Sequence, residues 1–124
     1  MKTDKQAAFT LLELLVVMAI ISILVSIAVP KFADYRRRAF DTRALSDLRS
    51  VAAAEELYFL ENEKYFNCGN AQCETLPGVS KLSKGVSLSM SQGTAVDTLV
   101  GESSHATGSG KTFKWDSEAG GLQE

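Results

Sequence analysis

From Phe9 to Val29 the chain is apolar at nearly every position, FTLLELLVVMAIISILVSIAV, with one carboxylate, Glu13, set inside it. At about 1.5 Å per residue a helix of this length reaches roughly 31 Å, enough to cross a bilayer core. A helix apolar on every side needs cover on every side, and so short a chain cannot supply it, so a buried core helix is the weaker reading of 9–29. Pro30 removes a backbone donor and predicts a kink or loosening without an end. From Phe32 to about Asn62 there is neither Pro nor Gly, and Ala, Leu, Arg and Glu predominate, which favours continued helix. Leu45, Leu48, Ala52 and Phe59 share one face, while Asp34 with Arg38, Arg37 with Asp41, and Arg43 with Asp47 stand four apart on others. The pattern over 30–63 is that of an amphipathic continuation whose apolar stripe needs a cover.

From 64 to 124 the periodicity changes. Cys68, Gly69, Asn70 and then Pro77-Gly78 punctuate a loop. Gly85 to Met90 alternates Val86, Leu88 and Met90 with Ser87 and Ser89, the period-two mark of a half-buried strand. Ala95 to Val100 is a second expected strand and Lys111 to Asp116 a third, with a turn at Gly108, Ser109 and Gly110. The closing AGGLQE is expected to be loosely held. Three strands make a small antiparallel sheet whose apolar face, Val86, Leu88, Phe113 and Trp115, would cover the helix stripe. The expected class is α+β, with one lobe in 124 residues.

Charge and cysteine content refine this picture. The net charge of −2 gives no global pull toward nucleic acid. Lys2 and Lys5 precede the apolar run while Lys31, Arg36, Arg37 and Arg38 follow it, which by the positive-inside rule places the C-terminal part in the cytoplasm. Against this, Cys68 and Cys73 are close in sequence and most useful as a disulfide, which persists in an oxidising compartment. The alternatives are two free thiols or half of a metal site, for which His105 is the only other nitrogen ligand. Having neither an acid nor a cysteine nearby, His105 carries no catalytic constellation, and no enzyme activity, metal or cofactor is expected.

Glu13 is the anomaly. A charge held in hydrocarbon costs roughly 2 to 4 kcal/mol, and neither the run's side chains nor its backbone offers an evident partner. A cut just before Phe9 would create one, the new terminal amine. The preceding MKTDKQAA is short, carries Lys2 and Lys5, and ends in two small residues, the look of a leader whose cut comes before the apolar helix, so that the helix stays with the mature chain.

These residues carry a resemblance. AFTLLELLVVMAIISILVSIAVP resembles the N-terminal signature of type IV prepilins, type IVa-like members of the pilin and pseudopilin superfamily, in its basic leader, small residue at the cut, Phe9, Glu13 and Pro30. The close match covers about residues 1 to 60. It implies a type IV pilin fold, a leader at 1–8, cleavage by a prepilin peptidase between Ala8 and Phe9, and N-methylation of Phe9. It further implies a single-pass precursor in the bacterial inner membrane, stacked by an assembly platform and its ATPase into a helical homopolymer. The carboxylate at Glu13 would meet the first-residue amine of a neighbour, so that a misaligned neighbour leaves both charges unpaired. Ala8 stands where the family nearly always has glycine, and Ser22 where many members do, which bears on cutting and on how easily the helix unwinds before Pro30.

The expected function is a filament subunit of a type IV pilus, outside the cell, serving adhesion, motility or related surface work. The alternatives are a periplasmic pseudopilin of a type II secretion system and a bitopic membrane protein with a small outer binding domain. The aromatics Phe9, Phe32, Tyr35, Phe40, Phe59 and Tyr65 are spaced as in pilins argued to carry electrons, against which stands ordinary packing. The run Arg36, Arg37 and Arg38, offset by acids at 34 and 41, reads as a solvated or intersubunit face before a DNA site.

Overall fold

The computed structural model describes residues 8–123, in two compact units, one ending at Asp34 and the other beginning at Tyr35. A single helix, α1 (Leu11–Asn62), supplies the first unit with most of its residues and the second with its long element. It runs through Pro30 and closes at Asn62, where Glu63 takes a left-handed conformation (φ 55°) and donates its N–H to Phe59 O at 2.8 Å, satisfying one of the last carbonyls.

Five antiparallel strands follow in the order of the chain: β1 (Cys68–Gly69), β2 (Val86–Gln92), β3 (Leu99–His105), β4 (Thr112–Asp116) and β5 (Gly121–Gln123). Two sequence expectations are corrected. The middle strand is not Ala95–Val100: residues 95–98 turn, with Thr98 N–H bonded to Ala95 O, and the strand begins at Leu99. The closing residues are not loose, because Gly121–Gln123 pairs with Lys114–Asp116 as an edge strand. Among the described residues five strands stand where three were expected.

Register explains how so polar a middle strand can be central. Leu88, Ser103 and Phe113 lie in one cross-strand row, and Met90, Gly101 and Trp115 in the next. A Cβ on Gly101 would run into Met90 Sδ, so the glycine makes room for a buried methionine. Ser103 is 1% exposed and donates its hydroxyl to Ala44 O at 2.8 Å, a buried tie from sheet to helix. Gly85, at φ 88°, opens β2 where a Cβ would strike the His105 ring.

The core lies between this sheet and the second half of α1. Ala44, Leu48, Val51, Ala52 and Ala54 are buried against Leu88, Met90, Leu99 and Phe113, with Tyr65, Cys68, Cys73 and Leu76 closing one end. Leu45, Phe59, Val86 and Trp115, expected on the helix stripe and the sheet face that covers it, are partly buried and pack against this core. The helix stripe also includes Asp41 and Glu55, both buried, which apolar periodicity could not foresee.

Candidate assembly site

Residues 1–7, which hold Lys2 and Lys5 of the expected leader, lie outside the described residues; Ala8 and Phe9 are exposed and precede α1. Thr10 caps the helix: its hydroxyl accepts the N–H of Glu13 at 3.2 Å, and Glu13 Oε2 accepts the N–H of Thr10 at 3.0 Å. This is a capping box, in which two backbone donors without intrahelical partners satisfy each other's side chains. The carboxylate also sits in the first turn, where the helix dipole favours negative charge. Glu13 therefore does have a partner in its own backbone, contrary to the expectation above. One N–H leaves a carboxylate far from saturated, since its two oxygens offer about four acceptor sites.

Behind this acid the helix surface is apolar on all sides. Leu12, Leu15, Met18, Ile23, Leu24 and Ile27 are all exposed, and no part of the most apolar stretch is buried. Its two hydroxyls bond within the helix, Ser22 Oγ to Met18 O at 2.8 Å and Ser26 Oγ to Ile23 O at 2.7 Å, so that neither needs an outside acceptor. A contiguous apolar surface of this extent marks a membrane or protein contact.

In the second unit the acids of α1 hold the loops that return to it. Asp41 accepts the backbone N–H and the hydroxyl of Ser109; Asp47 accepts the N–H of Ser83 at 2.7 Å and its hydroxyl at 3.2 Å. Glu55, fully buried, accepts the N–H of Phe66 at 2.9 Å through Oε2. Its Oε1 lies 3.7 Å from Cys68 Sγ, which carries no proton because Cys68 and Cys73 form a disulfide. Burial pushes the Glu55 carboxyl above its usual range, the Phe66 N–H opposes this, and the charge of Glu56 adds to it. Tyr65 donates to Glu56 at 3.1 Å, and burial together with that carboxylate pushes its phenol up to about 12.

The aromatic positions divide. Phe59 and Tyr65 stack at 4.6 Å, whereas Phe40 stacks on His105 at 4.5 Å, with Arg36 and Arg43 over its ring. Phe9 (90% exposed), Phe32 (68%) and Tyr35 (66%) lie open and form no ring pair among the described residues. His105 is buried at the end of β3, its Nε2 3.0 Å from Lys84 O and its Nδ1 accepting the Thr107 N–H at 3.1 Å. The acceptor at Nδ1 fixes the proton on Nε2, the state of a satisfied structural imidazole.

A helix apolar on all sides over its first part, then amphipathic and laid on an antiparallel sheet, defines an α+β fold of the pilin class. Residues 3–29 match the family described as prokaryotic N-terminal methylation motif. The type IV major fimbrial protein FimA of Dichelobacter nodosus is 29% identical over 128 residues, covering 89% of this chain and 80% of that protein. A fimbrial protein of Pseudomonas aeruginosa is 44% identical over 59 residues, 48% of this chain and 38% of the relative. The type II secretion system core protein G of Escherichia coli (strain K12) is 41% identical over 63 residues, 51% and 43% of the two chains. The matched part is thus less than half the length of these last two relatives. The chain is a type IV pilin-like protein. None of these relatives bears an enzyme's name.

Proposed function

We propose that this chain is the structural subunit of a type IV pilus, polymerised through α1. The observation that carries the reading is the exposed apolar surface of α1 with Glu13 at its head. In the precursor that surface is covered by lipid, and in the filament by the same surface of other copies. Cleavage between Ala8 and Phe9 by a prepilin peptidase, then N-methylation of Phe9, leaves a cationic amine close in sequence to Glu13. The carboxylate, already at the helix start and unsaturated, accepts the amine of a neighbouring copy during assembly on an inner-membrane platform with its ATPase. A correct register pairs two charges in an apolar bundle, whereas a wrong one leaves both exposed to it. The oxidised Cys68–Cys73 pair supports an exported second unit.

Two further assignments follow. The aromatics serve packing, since Phe59 meets Tyr65 and Phe40 is spent on His105. A pseudopilin is the second reading, favoured by the likeness to core protein G in the N-terminal half. The FimA alignment, which runs through most of both chains, supports the pilus. Glu13→Gln tests the assignment of the acid: the variant is expected to insert and be cut normally, with the surface-sheared fraction falling at least about tenfold, one charge pair's worth at 1.4 kcal/mol per decade. Wild-type amounts of surface filament from this variant would refute the role given to Glu13.

A further inference from the structure

Glu55 takes no part in assembly, although it is fully buried on α1. Its two oxygens are unequally used. Oε2 accepts the Phe66 N–H at 2.9 Å, whereas the neighbour of Oε1 among the described residues is Cys68 Sγ, 3.7 Å away, and a disulfide sulfur has no proton to donate. A buried polar atom left without a donor calls for an explanation. The reduced chain supplies one, because there the Cys68 thiol becomes the donor that Oε1 lacks. The frame that brings the two together does not depend on the bridge. Cys68 pairs with Met90 and Gly69 with Ser89, the Leu88 N–H donates to Asn70 Oδ1 at 3.0 Å, and the Gln92 N–H donates to Asn67 Oδ1 at 2.8 Å. These bonds, on both sides of Cys68, hold its sulfur beside Glu55 in either redox state. Cys73 is fully buried and Cys68 is 6% exposed, so Cys68 is the cysteine that an outside reagent reaches first.

We propose that Glu55 is the proton acceptor for closure of the Cys68–Cys73 bridge, and that Cys68 is the thiol that meets the oxidant, an external disulfide. The Cys68 thiol passes its proton to Glu55 Oε1, and the thiolate attacks one sulfur of the external disulfide. A mixed disulfide forms on Cys68 and the other half leaves as a thiolate. Cys73, as thiolate, then attacks Cys68 Sγ, which closes the native bridge and releases the second half. The two cysteines lose two electrons, which the external disulfide gains in leaving as two thiols. One of these takes the Cys73 proton and the other a proton from solvent, while the Cys68 proton stays on Glu55. Reduction by an outside thiol runs the path backwards, with protonated Glu55 returning its proton to the leaving Cys68 thiolate. The other titratable groups here are acids: Glu56 on α1 and Tyr65 in the loop, with Asp97 acting on Tyr65. They oppose further negative charge, so a Cys68 thiolate is favoured where its proton is kept nearby and Glu55 and Cys68 carry one negative charge between them. Burial holds the Glu55 carboxyl above its usual range and so nearer to that of a thiol, which eases the transfer.

Closure is followed on the full-length chain in detergent, reduced, freed of reductant and mixed with oxidised glutathione, with samples quenched by iodoacetamide and weighed by intact mass spectrometry. At about pH 7, Glu55→Gln is expected to close at least about tenfold more slowly than wild type, and the two to converge within about threefold near pH 9, where a thiol ionises unaided. The amide still accepts the Phe66 N–H, so the comparison isolates the proton. Single-cysteine variants carry the same test with Glu55 in place. Cys68 in Cys73→Ser is expected to take up glutathione at least about tenfold faster at about pH 7 than Cys73 in Cys68→Ser. Its rate is expected to rise less than about fivefold from pH 7 to pH 9, against about twenty-five-fold for an ordinary thiol of pKa about 8.5. Parallel pH profiles for wild type and Glu55→Gln, equal or offset, would leave Glu55 a structural role alone and overturn the proposal. Faster uptake by Cys73 than by Cys68 would overturn the order of attack. Neither result touches the filament reading, which does not depend on how the bridge closes.

Discussion

Glu55 is enclosed by the helix, the Phe66 backbone and the disulfide, and its carboxyl is held above the usual carboxylate range mainly by burial. The groups that act on it are the Phe66 N–H and Glu56, with Tyr65 on the far side of Glu56. A raised carboxyl means that the fold prefers the protonated form. Its contribution to stability is complete below the ordinary carboxylate range and is lost as pH rises through the raised value. Glu55→Gln keeps an acceptor for Phe66 and removes the titration. Thermal melts of the full chain in detergent, between about pH 4 and about pH 8, are expected to show the variant gaining on wild type as pH rises; parallel curves would contradict the assignment. At the same scale, the spacing Thr10-x-x-Glu13 was legible as a capping box before an apolar run. The charge cost of Glu13 alone does not reveal the cap, because capping depends on local backbone donors and not on hydropathy.

Among elements, α1 is readable because composition and periodicity agree over its whole length, and it ends where the loop residues begin. β2 and β4 are readable for the same reason. β3 is not, because its buried face is made of Leu99, Gly101, Ser103 and His105, a set chosen for room and hydrogen bonds and invisible to hydropathy. Gly101 yields space to Met90, Ser103 reaches Ala44 O, and His105 seats on Phe40. β5, Gly121–Gln123, is too short for a pattern and is ordered by pairing with β4. The loops likewise depend on acids that four-residue spacing assigned to surface ion pairs: Asp41 and Asp47 accept the Ser109 and Ser83 backbones. Asp47→Ala removes two such bonds and leaves the Ser83 N–H without its partner. The expected cost is about 1–3 kcal/mol in denaturant midpoint at unchanged slope. A loss near zero would mean that water replaces the carboxylate freely.

For the molecule as a whole, the central tension is an apolar helix surface that needs cover, headed by a carboxylate that needs charge. Under the proposed function lipid meets the first need and a processed neighbour meets both. The apolar run, Glu13 and the motif over 3–29 could be read directly from residues because an unbroken apolar stretch leaves a continuous composition signal. What the outer surface of the second unit recognises has no comparable signature, since exposed polar residues satisfy water equally well. The cut and its modification decide the account, and both change the mass of the chain. Intact mass spectrometry, after reduction, of assemblies sheared from the outside of cells is therefore the most direct test. The expected result is a chain that begins at N-methylated Phe9, pelleting at high molecular weight. A chain that begins at Met1 and is found only in membranes would contradict it.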